Sequence, residues 1–113
     1  MQNLDDIRRM ALALPEAYEA DHHGVPSFRV GKKIFCTLRL DEPKMMLKLD
    51  PEDQRNVVED SPEAIWPVPG YWGQKGSTFL RYDRLDPERT RGLMRLAWAS
   101  VAPKRLVGTG GGA

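Results

Sequence analysis

Between Lys32 and Leu49 the chain runs KKIFCTLRL, then Asp41-Glu42-Pro43, then KMMLKL. Alternation with period two predicts two strands, and the short break predicts a hairpin at the centre of an antiparallel sheet. In the first strand Ile34, Cys36, Leu38 and Leu40 share one face, and Lys33, Phe35, Thr37 and Arg39 the other. In the return strand Met45, Leu47 and Leu49 oppose Lys44, Met46 and Lys48. Each strand therefore has an apolar face that needs helices to cover it and a cationic face left for water or a ligand.

The flanking segments supply the cover. Leu4, Ile7, Met10, Ala11 and Leu14 follow helical spacing, with Asn3 as cap, Asp5 and Asp6 in the first turn and Pro15 as the stop. A weakly alternating strand is predicted over 17–23, a turn at Gly24-Val25-Pro26, and a short strand over 27–30 with Arg29 facing away from Phe28 and Val30. Gly31-Lys32 reverses the chain into the hairpin. Asp50-Pro51-Glu52 and Asp86-Pro87-Glu88 are helix starts, for a short polar helix to about Glu59 and a final helix to about Ala102. On the latter, Leu93, Leu96, Ala97 and Val101 form a stripe with Trp98 beside it. A brief turn or strand is expected around Ala64 to Trp66. Three glycines and two prolines make 67–76 a loop without a regular element, and Ser77 to Asp83 is the last strand. The expected architecture is α+β: an antiparallel sheet of about five strands with the N- and C-terminal helices packed on one face.

Length and composition narrow this little further. A chain of 113 residues suits one domain, taken as 1–107, followed by a flexible Gly-rich tail at 108–113. Lys and Arg number 17 against 16 Asp and Glu, so no global charge draws the chain to nucleic acid or membrane. Charge segregated onto one face has to do that work. The lone Cys36 excludes an intrachain disulfide, and no stretch approaches a membrane span, which together point to the cytoplasm.

Four ordered blocks carry a family resemblance. They are Leu14-Pro15 with Gly24-x-Pro26-Ser27-Phe28-Arg29-Val30 and Lys33-Ile34-Phe35; Leu47-Lys48-Leu49-Asp50-Pro51; Pro69 to Gly76; and Ala97-Trp98 with Val101 to Leu106. Together they resemble the MmcQ/YjbR-like family of small bacterial proteins. The resemblance implies a frataxin-like (CyaY-like) fold and DNA binding through a double-wing arrangement, with no catalytic residues to carry over. One departure is that family members often have an aromatic after Lys-Gly, where this chain has Ser77-Thr78.

The candidate nucleic-acid-binding residues are Arg29, Lys33, Phe35, Arg39, Lys44, Lys48, Trp72, Lys75 and Arg81, with Met46 and Phe79 on the same sheet face. Cations track phosphates and exposed aromatics stack on bases, and acids are nearly absent from these positions. A solvated face that discourages edge pairing is the plain alternative. Tyr71, Trp72 and Lys75 form a wing on one reading; on the other, Trp66 and Trp72 fold back over the end of the sheet. Lys104 and Arg105 either meet phosphate or serve the last helix carbonyls. A protein-interaction or small-ligand module with a pocket beside Trp72 and Phe79 is a separate reading. Iron binding is a further one, by analogy with acidic first helices of the frataxin-like fold, but Arg8 and Arg9 follow Asp5 and Asp6 directly. His22 and His23, adjacent on a strand, face opposite sides. Cys36 reads as a core thiol, and Ser27 with His23 lacks an orienting partner. The chain is therefore expected not to be an enzyme, to need no cofactor and to hold no resident metal.

Overall fold

The computed structural model describes residues 2–111, with side chains for residues 2–107. Six strands form one antiparallel sheet in the order β1-β2-β3-β4-β6-β5. They are β1 (Tyr18–His22), β2 (Val25–Val30), β3 (Lys33–Leu38), β4 (Lys44–Lys48), β5 (Ile65–Pro67) and β6 (Ser77–Arg81). The helices are α1 (Leu4–Leu12), α2 (Pro51–Asp60), α3 (Tyr71–Gln74), α4 (Pro87–Val101) and α5 (Lys104–Gly111), and a 3-10 turn covers Tyr82–Arg84. The α+β architecture expected from the sequence is present, with one strand more than the approximate count of five.

Local signals set the helix starts. The Asn3 side chain accepts from the Asp6 amide at 3.0 Å while the Asp6 carboxylate accepts from the Asn3 amide at 3.1 Å, a reciprocal cap. Asp86 accepts from the Arg89 amide at 2.7 Å, with Pro87 opening α4. Helix α4 then lies across β2, β3 and β4, and α1 leans on α4. Ile7, Ala11, Leu93, Met94, Ala97 and Trp98 meet Phe28, Leu38, Met45, Leu47 and Leu80 in one core. Each large side chain removed from water there contributes roughly 2 kcal/mol. The Trp98 indole donates to the Pro15 carbonyl at 3.0 Å, so even the largest core residue leaves no polar atom stranded.

Several expectations are corrected. Strand β2 begins at Val25, and the reversal before it sits at His23-Gly24, both with positive φ. The stretch taken as an irregular loop contains the single-turn α3. Strand β6 stops at Arg81 because the chain tightens into the 3-10 turn. Leu40 and Leu96, placed on the core side, are exposed. The segment read as a tail is helical as far as Gly111; residues 112 and 113 lie outside the described residues.

The main correction concerns β3. Ser27 pairs with Thr37 and Phe28 with Cys36, but Arg29 pairs with Ile34, so β3 carries an extra residue between the two registers. That bulge turns Phe35 inward beside Cys36, and both are fully buried. Ile34 moves to the face where Phe35 was expected. Lys33 pairs with the buried Val30 and so lies on the helix side, exposed at the hairpin end.

Candidate functional site

The helices leave the opposite face of the sheet uncovered. Cross-strand pairing defines its rows, because residues directly opposite share a face. One row runs Thr37, Met46, Phe79, Trp66. A second holds Lys44 opposite Arg81, with Arg39 alongside, its amide donating to the Lys44 carbonyl at 3.0 Å. A third pairs Arg29 with Ile34 and Lys48 with Ser77. Over these rows lies a groove of about 830 Å³, spanning from Trp72 and Ser77 to Leu40 and Asp41. Ile34, Thr37, Met46 and Phe79 line it, with Lys48 and Arg39 among the lining groups.

Of the residues singled out in the sequence, Arg29, Arg39, Lys44, Lys48 and Arg81 share this face, as do Met46 and Phe79. Phe35 and Lys33 do not, for the reason given by the bulge. Trp72 stands 66% exposed at the groove's edge and does not fold back. Trp66 is half-buried, its ring 6.1 Å from that of Phe79. Lys75, just after α3, holds its ammonium 5.4 Å from the Tyr71 ring centroid. Lys104 opens α5, and Arg105 pairs with Glu16 at 3.1 Å.

The expectation that the face is nearly free of acids is also corrected. Glu42, from the β3–β4 turn, comes within 3.8 Å of Arg39, 3.7 Å of Lys44 and 3.9 Å of Arg81. Asp41 meets Arg39 at 3.4 Å, and the hydrogen bond from that guanidinium holds its carboxyl below the usual carboxylate range. Asp83 meets Arg81 at 2.7 Å, and the same effect lowers Asp83 and raises Arg81. Lys44 also sits 4.4 Å above the Phe79 ring. The end of the face near the β3–β4 turn is therefore largely neutralised. Elsewhere on the face the cations bond to neutral oxygens instead. The Lys48 ammonium donates to the Lys75 carbonyl. Arg29 donates to the Ser27 hydroxyl at 3.1 Å and the Asp21 carbonyl at 3.2 Å.

Sequence reasoning passed over Gln54. It lies on α2, only 6% exposed, and its Nε2 donates toward the Gly73 carbonyl, the Ser77 carbonyl and the Thr78 hydroxyl at 2.9, 3.0 and 3.1 Å. A glutamine on a polar helix carries no sign of burial. The acids were legible in part, since Asp41 and Glu42 sit between Arg39 and Lys44 in the chain.

The other chemistries find little support in the geometry. Burial pushes the Cys36 thiol well above its ordinary range, so it offers no thiolate at neutral pH. The His22 and His23 rings touch edge to face at 4.5 Å, because His23 turns back with positive φ rather than facing away along a strand. Among the described residues no group of three or more His, Cys, Asp or Glu side chains is arranged so that it could hold a metal ion. Among them, too, no helix is long and apolar enough to cross a membrane.

A family model for YjbR matches residues 12–100, which include the whole sheet, α2, α3 and nearly all of α4. The chain belongs to the YjbR family. This YjbR chain also resembles the crystal structure of Deinococcus radiodurans protein DR2400, which carries a DUF419 domain. The TM-score is 0.78 at 22% identity, over 98% of this chain and 89% of that one, a likeness of fold. Comparison with curated proteins returns no match. In this YjbR chain the groove lies within the matched segment, while the first two turns of α1 and all of α5 lie outside it.

Proposed function

We propose that this protein is a non-enzymatic binding domain that takes single-stranded nucleic acid across the open face of its sheet. The observation that carries the reading is Trp72, exposed at the rim of a groove that also holds Lys48, with Lys75 following on the same turn. Single-strand sites combine aromatic platforms for bases with a cationic track for phosphates, and both elements are present here.

A duplex suits the face less well. Duplex affinity comes largely from free cations set along the phosphates. Three of the face's cations are held by Glu42, Asp41 and Asp83. Arg29, Lys48 and Lys75 remain to meet phosphate.

The test is an anisotropy titration with a labelled oligothymidylate of about twelve nucleotides, and with a duplex of the same length, at several salt concentrations. Three cations at about 0.7 each predict a log–log salt slope near −2 for the single strand. The duplex is expected to bind more weakly at every salt concentration. No binding at low salt, or binding indifferent to salt, removes the reading; tighter duplex binding removes the single-strand assignment.

The groove's apolar side chains favour a second reading, a partner segment bearing an apolar side chain. Ile34, Met46, Val68 and Phe79 line the groove together with Leu40. Such a ligand is held chiefly by burial, and its affinity changes little with salt.

A further inference from the structure

Tyr71 is 61% exposed and Trp72 66%, on a helix of one turn that has no stability of its own. Large aromatics usually bury their surface, and a stretch rich in glycine and proline usually moves. Here the turn is fastened from beneath by its backbone alone. The Gln54 amide donates toward Gly73, Ser77 and Thr78, sharing two protons among three acceptors. The Val68 amide donates to the Ser77 carbonyl at 3.0 Å, and the Leu49 amide to the Gly76 carbonyl at 2.9 Å.

The glycines are needed for this contact. A Cβ on Gly73 would lie 1.7 Å from the Val68 carbonyl oxygen, and one on Gly76 1.9 Å from that of Leu49. Gly76 also has φ +112, a conformation that side chains rarely adopt. The backbone of the turn is thus pressed inward while its two aromatic side chains point out. Their rings steady each other edge to face, with centroids 5.3 Å apart.

We infer that Tyr71 and Trp72 form a preorganised stacking arm for an unpaired base, and that buried Gln54 is its positioning residue. The inference rests on the single-strand reading and names how that site's aromatic is held. An aromatic fixed before binding loses less conformational freedom when a ligand arrives, so the arm's rigidity adds to affinity. Gln54 is buried beneath the arm and acts only through it.

The test has a ligand-free part and a ligand-bound part. In 1H–15N spectra the Trp72 indole signal is assigned with Trp72→Phe, and the Trp98 indole reports the core. Gln54→Met keeps length and helix propensity but removes the donor; Gly73→Ala pushes the turn off Val68 by an independent route. Both are expected to move the Trp72 indole toward the shift of a free indole and to lower its heteronuclear NOE, with Trp98 unchanged. A Trp72 signal that does not move overturns the positioning role. Loss of the Trp98 signal in both variants overturns it too, because the contacts would then hold the domain and not the arm. With oligothymidylate, Trp72→Ala and Gln54→Met are each expected to lose about tenfold in affinity. Absence of binding by the unaltered protein overturns the single-strand reading and leaves the ligand-free result standing.

Discussion

Arg81 and Asp83 clasp each other through two parallel bonds, Nε to Oδ1 at 2.9 Å and Nη2 to Oδ2 at 2.7 Å. The two residues flank the start of the 3-10 turn, and it is this tightening that brings the carboxylate back onto the sheet's last cation. Arg81 is thereby occupied, and its charge is spent within the fold.

The clasp sets a direction for acid sensitivity. Asp83 has its carboxyl lowered, so its folded form binds a proton less readily than its unfolded form. The stability it contributes is present above the ordinary carboxylate range, near pH 4, and is lost as pH falls through the lower folded value. The urea midpoint of Asp83→Asn should lie below that of the unaltered protein at neutral pH. The two should converge as the pH drops below about 4.

Lys44 and Lys48 share the open face but differ in partners. Lys44 sits between Glu42 and the Phe79 ring, whereas Lys48 donates to a carbonyl. Lys48→Gln is expected to weaken oligothymidylate binding and to reduce the salt slope by about 0.7. Lys44→Gln should leave the slope within about 0.2 of its original value, since its charge is already matched. The anisotropy titration measures both.

The bulge is tested by stability alone. Phe35 is fully buried and Ile34 half-buried on the opposite face. Phe35→Ala should cost about 3–5 kcal/mol in denaturant unfolding, and Ile34→Ala less than half of that. A regular strand would reverse the order.

Cys36 is shut away with its Sγ 3.9 Å from the Met45 sulfur, and burial raises its pKa. The native thiol should ignore a disulfide reagent such as DTNB until the protein is unfolded. A raised folded pKa also means that this group favours the folded state fully below its unfolded value, near pH 8.5. That contribution then declines as pH rises further. Cys36→Ser should show a smaller fall in stability between about pH 8 and 10.

Much of the frame was legible in the chain because its causes are local. Asn3, Asp86, Pro51 and Pro87 mark helix starts through hydrogen bonds and backbone angles that involve only a few neighbouring residues. The alternation of Met45, Leu47 and Leu49 gave β4 its inward face correctly, and Phe28 and Val30 did the same for β2. The YjbR resemblance rested on ordered blocks, and it too is a property of the sequence.

The site was a different matter, because its determinants come from other parts of the fold. A single extra residue in β3 exchanged Phe35 for Ile34, since with a period of two any insertion reverses the side chains that follow it. Glu42 reads as a turn residue in sequence and Asp83 as the end of the last strand, and both become counter-ions only where the chain folds back over the strand ends. Gln54 looks like a surface glutamine until α2 closes over the turn before β6 and three acceptors need its amide. Short-range patterning settled which segments are helix and strand and where their apolar sides lie. Strand register and loop closure settled which charges stay free and which aromatics are presented, because both depend on contacts between residues far apart in the chain.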